Sequence, residues 1–275
     1  MESPTILESF NLKLPKSFIE FGFQENYRTI TSTAPSTKET EIDHIFLLED
    51  ISVFKAIAEK CLPRRPTAHS SLLDSLPRLE KTHRLDTEAD VTRISILQLL
   101  YPVNIALQEI VAAAGMKIIC GSERTGGRDS RFDIQWSLYN NKGEFLKNSA
   151  ILEIKSTNVI HWDDFKNAAA TEKTLEAKMA EAMSKFPDTL FNGNALLLTK
   201  QATKYSQKCV DVALFDWTSM FIFDFADRLS TTEEGEVKGT YFSEDRRTRK
   251  GMTFRRQLFA FLARALKRYV SMDSR

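Results

Sequence analysis

Ser149-Ala-Ile-Leu-Glu-Ile-Lys-Ser156 is an apolar run that carries two charges, Glu153 and Lys155. Its length and branched side chains predict a buried strand. Successive side chains on a strand take opposite faces, so Glu153 and Lys155 share a face with Ile151, while Leu152 and Ile154 turn into a core. Burying a carboxylate and an ammonium is costly unless they are paired or bind something. The strand therefore holds an ion pair or presents a site. Upstream, Phe132 to Tyr139 alternates as a strand does, and Asn140-Asn-Lys-Gly143 has hairpin-turn chemistry. With the turn centred on Gly143, facing residues sum to about 286, which sets Asp133 opposite Glu153. A slip of one residue or a bulge would move this pair. Two adjacent carboxylates repel unless a cation lies between them, and their oxygens suit Mg²⁺ or Mn²⁺.

Outward from this hairpin, Asp90 to Ala114 reads as a long helix that Pro102 kinks or divides, with Gly115 as its stop. Met116 to Cys120 reads as a short strand and Gly121 to Ser130 as a polar turn. Trp162 to Phe186 has one apolar face, Phe165, Ala168, Ala169, Leu175, Met179, Ala182, Met183 and Phe186, and is expected to be one helix with that face buried. Asn194 to Cys209 reads as a second helix, with Leu196 to Leu198 a strand in the alternative. Val210 to Phe225 reads as a hairpin turning at Trp217-Thr218-Ser219, and Met252 to Val270 as a closing amphipathic helix. Before all of these, Ile42 to Cys61 has helical spacing that ends at Leu62-Pro-Arg-Arg-Pro66. The order is that of an α/β chain with a mixed sheet. It divides into an irregular, helical N-terminal region at 1–88 and a domain at 89–275.

Composition narrows the function. The chain has 275 residues and a net charge of +1, which excludes a uniformly basic nucleic-acid coat and leaves room for a local patch. Cys61, Cys120 and Cys209 are odd in number and widely spaced, so neither a disulfide framework nor a zinc knuckle is expected. No apolar run approaches about 18 residues, and Met1-Glu-Ser-Pro4 does not open a secretory leader. The expectation is no integral membrane association and an address in nucleus or cytoplasm.

Asp133, nineteen intervening residues and Glu153-Ile154-Lys155 together resemble the PD-(D/E)XK nuclease superfamily, over roughly residues 90–225. The resemblance implies a restriction-endonuclease-like αβββαβ core, its mixed central sheet flanked by helices. It also implies a divalent-metal-dependent nuclease acting on nucleic acid, DNA ahead of RNA. Asp133 and Glu153 would hold Mg²⁺ or Mn²⁺ together with the backbone carbonyl of Ile154, and Lys155 would serve the attacking water. Glu109 matches the acid often found on the helix before the sheet. Gln201-Ala-Thr-Lys-Tyr205 resembles the Gln-x-x-x-Tyr helix of the RecB-like branch, where i, i+4 spacing puts both side chains on one face. Phe132 stands where the motif has proline.

Other readings compete. Asp133, Glu153 and Lys155 form a structural ion-pair network in the bland alternative, and the whole chain is then a nuclease-like fold kept as a binding or scaffold module. Arg124, Arg128 and Arg131 flank the cleft and either hold phosphates or are ordinary surface arginines. His44, His69, His83 and His161 have no metal-ligand spacing. Arg246 to Arg275 carries ten Lys/Arg and one Asp, and its helix is expected to dock with a basic outer face, with a membrane-surface helix as the alternative.

Overall fold

The computed structural model describes residues 3–15, 26–30, 35–64, 66–79, 85–125, 131–227, 236–244 and 251–269. Among these residues the chain runs α1 (Ile6–Ser9), α2 (Pro35–Lys38), β1 (Phe46–Leu48), α3 (Ile51–Cys61), α4 (Glu88–Ser95), α5 (Tyr101–Ala113), β2 (Met116–Thr125), β3 (Arg131–Asn140) and β4 (Phe145–Ile154). It continues through α6 (Trp162–Phe165), β5 (Ala169–Ala170), α7 (Leu175–Met183), α8 (Gly193–Ser206), β6 (Asp211–Phe215), β7 (Met220–Asp224), β8 (Lys238–Phe242) and α9 (Phe254–Lys267). The architecture is α/β, with one mixed sheet of eight strands in the order β2-β3-β4-β6-β7-β8-β1-β5. The β2-β3-β4 meander is antiparallel, β4 and β6 are parallel, and β6-β7-β8 is antiparallel again.

Period-two alternation divides the sheet between two cores. Leu152, Ile154, Ala213 and Phe215 face a core built with α3, α4, α5 and α9. Ile151, Val212 and Leu214 face the other, closed by Phe165 of α6 and by Leu198, Ala202 and Tyr205 of α8. The hairpin register is the expected one up to Ile134, which pairs with Leu152, as Gln135 does with Ile151; Asp133 and Glu153 are the next positions beyond the last pair, where the Ile154 N–H turns to the Asp133 side chain. Nearer the turn two irregularities shift the pairing, and Tyr139 faces Phe145.

The long helix is continuous from Glu88 to Ala113 and is, among the described residues, the one helix long and apolar enough to cross a membrane. It packs here against β2 and α9. Pro102 is accommodated without a break, because a π turn at Ile96–Leu100 precedes it. Proline has no N–H for the carbonyl of Gln98, four residues back. That carbonyl instead accepts 2.5 Å from Nε of Arg255. The same guanidinium donates to the carbonyls of Ser9 and Leu12 and to Gln98 Oε1, so a fully buried arginine is satisfied.

Several expectations are corrected. Ile42 to Cys61 is not one helix: Asp50 caps α3 by accepting from the Ser52 N–H, and Phe46–Leu48 before it is a strand. Gly239 on the neighbouring strand has no Cβ, and this leaves room for the Phe46 ring. Trp162 to Phe186 is also interrupted. Ala169 and Ala170 pair with β1, and a Thr171–Thr174 side-chain turn competes with helix before α7 starts. Phe165 is buried and stacks on Phe221 at 4.1 Å, whereas Phe186 is fully exposed. Gly121 to Thr125 extends β2 rather than forming a turn, and 126–130 lie outside the described residues. Residues before 89 are not set apart, since β1 is part of the sheet and Ile6, Phe10 and Phe54 share a core with α9. The basic face of the last helix turns inward: Arg264 and Arg268 meet Glu49, Asp211 and Asp224.

Candidate active site

Four elements, β3, β4, α4 and α8, bring charged and polar side chains together where β4 ends. Glu153 is the penultimate residue of β4 and is buried. Lys155 follows the strand, its N–H bonded to the Phe215 carbonyl at 2.8 Å, and its Nζ lies 2.7 Å from Glu153 Oε1. Asp133 enters from β3 and accepts 2.7 Å from the Ile154 N–H. From α8, Gln201 Nε2 donates to Glu153 Oε1 and, at 2.6 Å, to Tyr205 Oη. The expected Gln-x-x-x-Tyr face is therefore formed and turned onto the strand.

Glu109 is not part of this group. It accepts from the Ser70 hydroxyl. It lies twenty-one positions along the helix from Glu88, about 30 Å along the axis at 1.5 Å per residue. The carboxylate that reaches Lys155 is that of Glu88 on the first turn of α4, with Oε2 at 3.8 Å from Nζ. A sequence signal for it exists: Thr87 and Asp90 form a capping box, each side chain bonding the other's N–H. That box fixes the helix start beside β4.

Asp216 is the second residue missed. Its Oδ2 accepts from the N–H groups of Val159 and Ile160 at 2.8 and 2.7 Å, and its Oδ1 accepts from Thr218 and Ser219. It clamps the loop leaving Lys155 to the β6–β7 turn. The Asp-Trp-Thr-Ser sequence is an Asx-turn signature that could have revealed it.

Electrostatics sort the roles. Burial alone would push the Lys155 ammonium down, but Glu153, Glu88 and Asp133 outweigh it and hold it above the ordinary lysine range. Lys155 is thus a cation at neutral pH. Burial, joined by the charge of Asp133, pushes the Glu88 carboxyl up against the opposing pull of Lys155. Burial and the Glu153 charge push the Tyr205 phenol far up, so it stays neutral. Among the described residues Glu153 Oε2 is buried with no hydrogen-bond partner. Among the described residues no group of three or more His, Cys, Asp or Glu is arranged to hold a metal ion. Asp133 and Glu153, with that unpaired oxygen, are the donors a divalent ion would use.

The backbones of Arg124 and Arg131 stand at the paired ends of β2 and β3, next to Asp133. Their side chains, and the whole of Arg128, lie outside the described residues. Ile154 contributes its N–H to Asp133, a link the expected carbonyl role did not include. No family model matches the chain, and no curated protein is significantly similar to it.

Proposed function

We propose that the chain is a divalent-metal-dependent nuclease that hydrolyses phosphodiester bonds, DNA ahead of RNA, on a restriction-endonuclease-like core. The observation that carries this reading is the meeting of Asp133, Glu153, Lys155 and Gln201 at the end of β4. The order α5, β2, β3, β4, α8, β6, with β6 parallel to β4, supports the αβββαβ core. Asp133 and Glu153 would hold Mg²⁺ or Mn²⁺, for which Glu153 Oε2 is available. When bound, such an ion makes the scissile phosphate more electrophilic and a water more acidic. Lys155, kept protonated, donates to the charge that develops on the attacked phosphate and does not take the water's proton. Glu88, with its raised proton affinity and half-exposed position, is the residue to accept that proton. Gln201 holds the Glu153 carboxylate in place, and Arg124, Arg128 and Arg131 would supply phosphate contacts.

One observation favours the scaffold reading. The Lys155–Glu153 pair is closed at 2.7 Å, with the two side chains only 13% and 6% exposed. Incubation with single- and double-stranded DNA and with RNA, in Mg²⁺, Mn²⁺ and EDTA, separates the two. Cleavage that needs the ion and is lost in Glu153→Gln supports the nuclease. A well-folded protein that cuts none of these substrates supports the scaffold.

A further inference from the structure

Leu175, Met179, Met183 and Phe186 recur at helical spacing, yet the core does not take this stripe. Ala182 is buried and Leu175 and Met179 rest half-buried on the core, while Met183 is 61% exposed and Phe186 fully exposed. Beside the stripe opens a cavity of about 760 Å³, within the range of ligand pockets. Leu175, Met179 and Met183 line it on one side, and Glu41, Asp43 and Glu236 supply carboxylates to its wall. Among the described residues no lysine or arginine lines it. The neighbouring Lys178 and Lys185 are held elsewhere, by the Asn167 carbonyl and by Glu181. The His44 ring is engaged with the Asp188 carbonyl.

An apolar floor rich in methionine adapts to differently shaped apolar side chains. A carboxylate wall selects for Lys and Arg and against nucleic acid. From Leu175 to Met183 the stripe runs about 12 Å, two turns of a helix laid alongside. We infer that this cavity is the docking groove for a basic amphipathic helix of a partner protein. Its apolar residues, at i, i+3 or i+4 and i+7, pack on the methionines, and its lysines or arginines face Glu41 and Glu236.

The test is selection of binders to the full-length protein from a displayed library of randomised 16-residue peptides. Selected sequences should be enriched in Lys and Arg with apolar residues at helical spacing. Labelled synthetic copies should bind at least tenfold more weakly to Met183→Glu and to a Glu41→Lys/Glu236→Lys variant, and more weakly at high salt. These positions are exposed, so thermal melts of the variants should match the parent. Acidic or unpatterned binders, no enrichment over a blank support, or affinities untouched by these substitutions overturn the inference. So does a dimer of the parent that Met183→Glu dissociates, which would make a second copy the occupant.

Discussion

Asp133 Oδ2 accepts a 2.7 Å hydrogen bond from the backbone N–H of Ile154, which ties the carboxylate of β3 to the strand segment between Glu153 and Lys155. The same group is therefore both a brace and a candidate metal ligand, and two substitutions separate these roles. Asp133→Ala leaves the Ile154 N–H without this acceptor and should cost about 1–3 kcal/mol in urea unfolding. Asp133→Asn keeps an acceptor oxygen and should stay within about 1 kcal/mol of the parent. Both should abolish cleavage. Full cleavage by Asp133→Asn would reduce Asp133 to a brace.

Arg255 and Pro102 act as a pair. The proline leaves the Gln98 carbonyl open, and the buried guanidinium fills it. Pro102→Ala would ordinarily gain up to about 3 kcal/mol of helix propensity. Here the new N–H competes with Arg255 for one carbonyl, so the gain should fall well short of that in urea melts. Arg255→Ala takes a donor from the Gln98 carbonyl and amide oxygen and from the Leu12 and Ser9 carbonyls, of which Ser9 keeps the Leu12 N–H, and each buried acceptor left unpaired should cost about 1–3 kcal/mol. A full propensity gain in Pro102→Ala would show that the carbonyl serves both donors at no cost.

What could be read in the residues, and what could not, follows from the range of the forces involved. The β3–β4 register was legible near Asp133 because period-two burial allows no slip there: Leu152 and Ile154 face one core and Ile151 the other. Gln201 and Tyr205 were legible because i, i+4 spacing on a helix is local geometry. The choice between Glu109 and Glu88 was not legible. It depends on which end of a 26-residue helix meets β4, and that is a tertiary fact. The apolar face ending at Phe186 misled because helical periodicity marks a face that prefers burial without naming what buries it. The arginines of the last helix misled for the opposite reason. Their partners are far away in sequence: Glu49 lies just before α3, Asp211 on β6 and Asp224 on β7.

Asp211 and Asp224 are direct cross-strand partners that compete for Arg264 and Arg268. Asp224 wins, at 2.6 Å from Arg268, while the contacts of Asp211 with the two arginines are longer, 3.4 and 3.7 Å. Burial, against the pull of Arg268 and Arg264 and helped by the charges of Asp224 and Glu49, pushes the Asp211 carboxyl up to about 7 from 3.8. Burial raises the neighbouring Cys209 thiol, and the charge of Asp211 adds to it. The folded state thus holds more protons than the unfolded state between about pH 4 and pH 7, and stability from this site falls as pH rises through that window. The limit is on the order of 4 kcal/mol. Asp211→Asn should flatten the slope, so its melting temperature relative to the parent should climb from pH 5 to pH 8. A constant difference would mean that Asp211 is ionised throughout.

Lys155 gives the sharpest test of the chemistry. Its ammonium is held by Glu153 at 2.7 Å with Glu88 at 3.8 Å, and these charges keep it protonated. A preorganised cation of this kind acts mainly in the transition state, so its loss should lower kcat far more than it raises KM. The expected loss is about a hundred- to a thousand-fold in rate for Lys155→Ala. Because the folded pKa is raised, the rate should show no titration of Lys155 near neutrality, and the stability it contributes should decline only in strong alkali. Removing one partner of a buried pair can itself cost about 3–5 kcal/mol, so melts must accompany the kinetics. Lys155→Arg separates the two effects: it keeps the charge beside Glu153 and should retain the fold, yet lose rate because a planar guanidinium places its donors differently. Excess Mn²⁺ should partly rescue a Glu153→Asp variant, which still offers a carboxylate, and should leave Lys155→Ala unrescued. Parental rates in a folded Lys155→Ala protein would remove Lys155 from the mechanism.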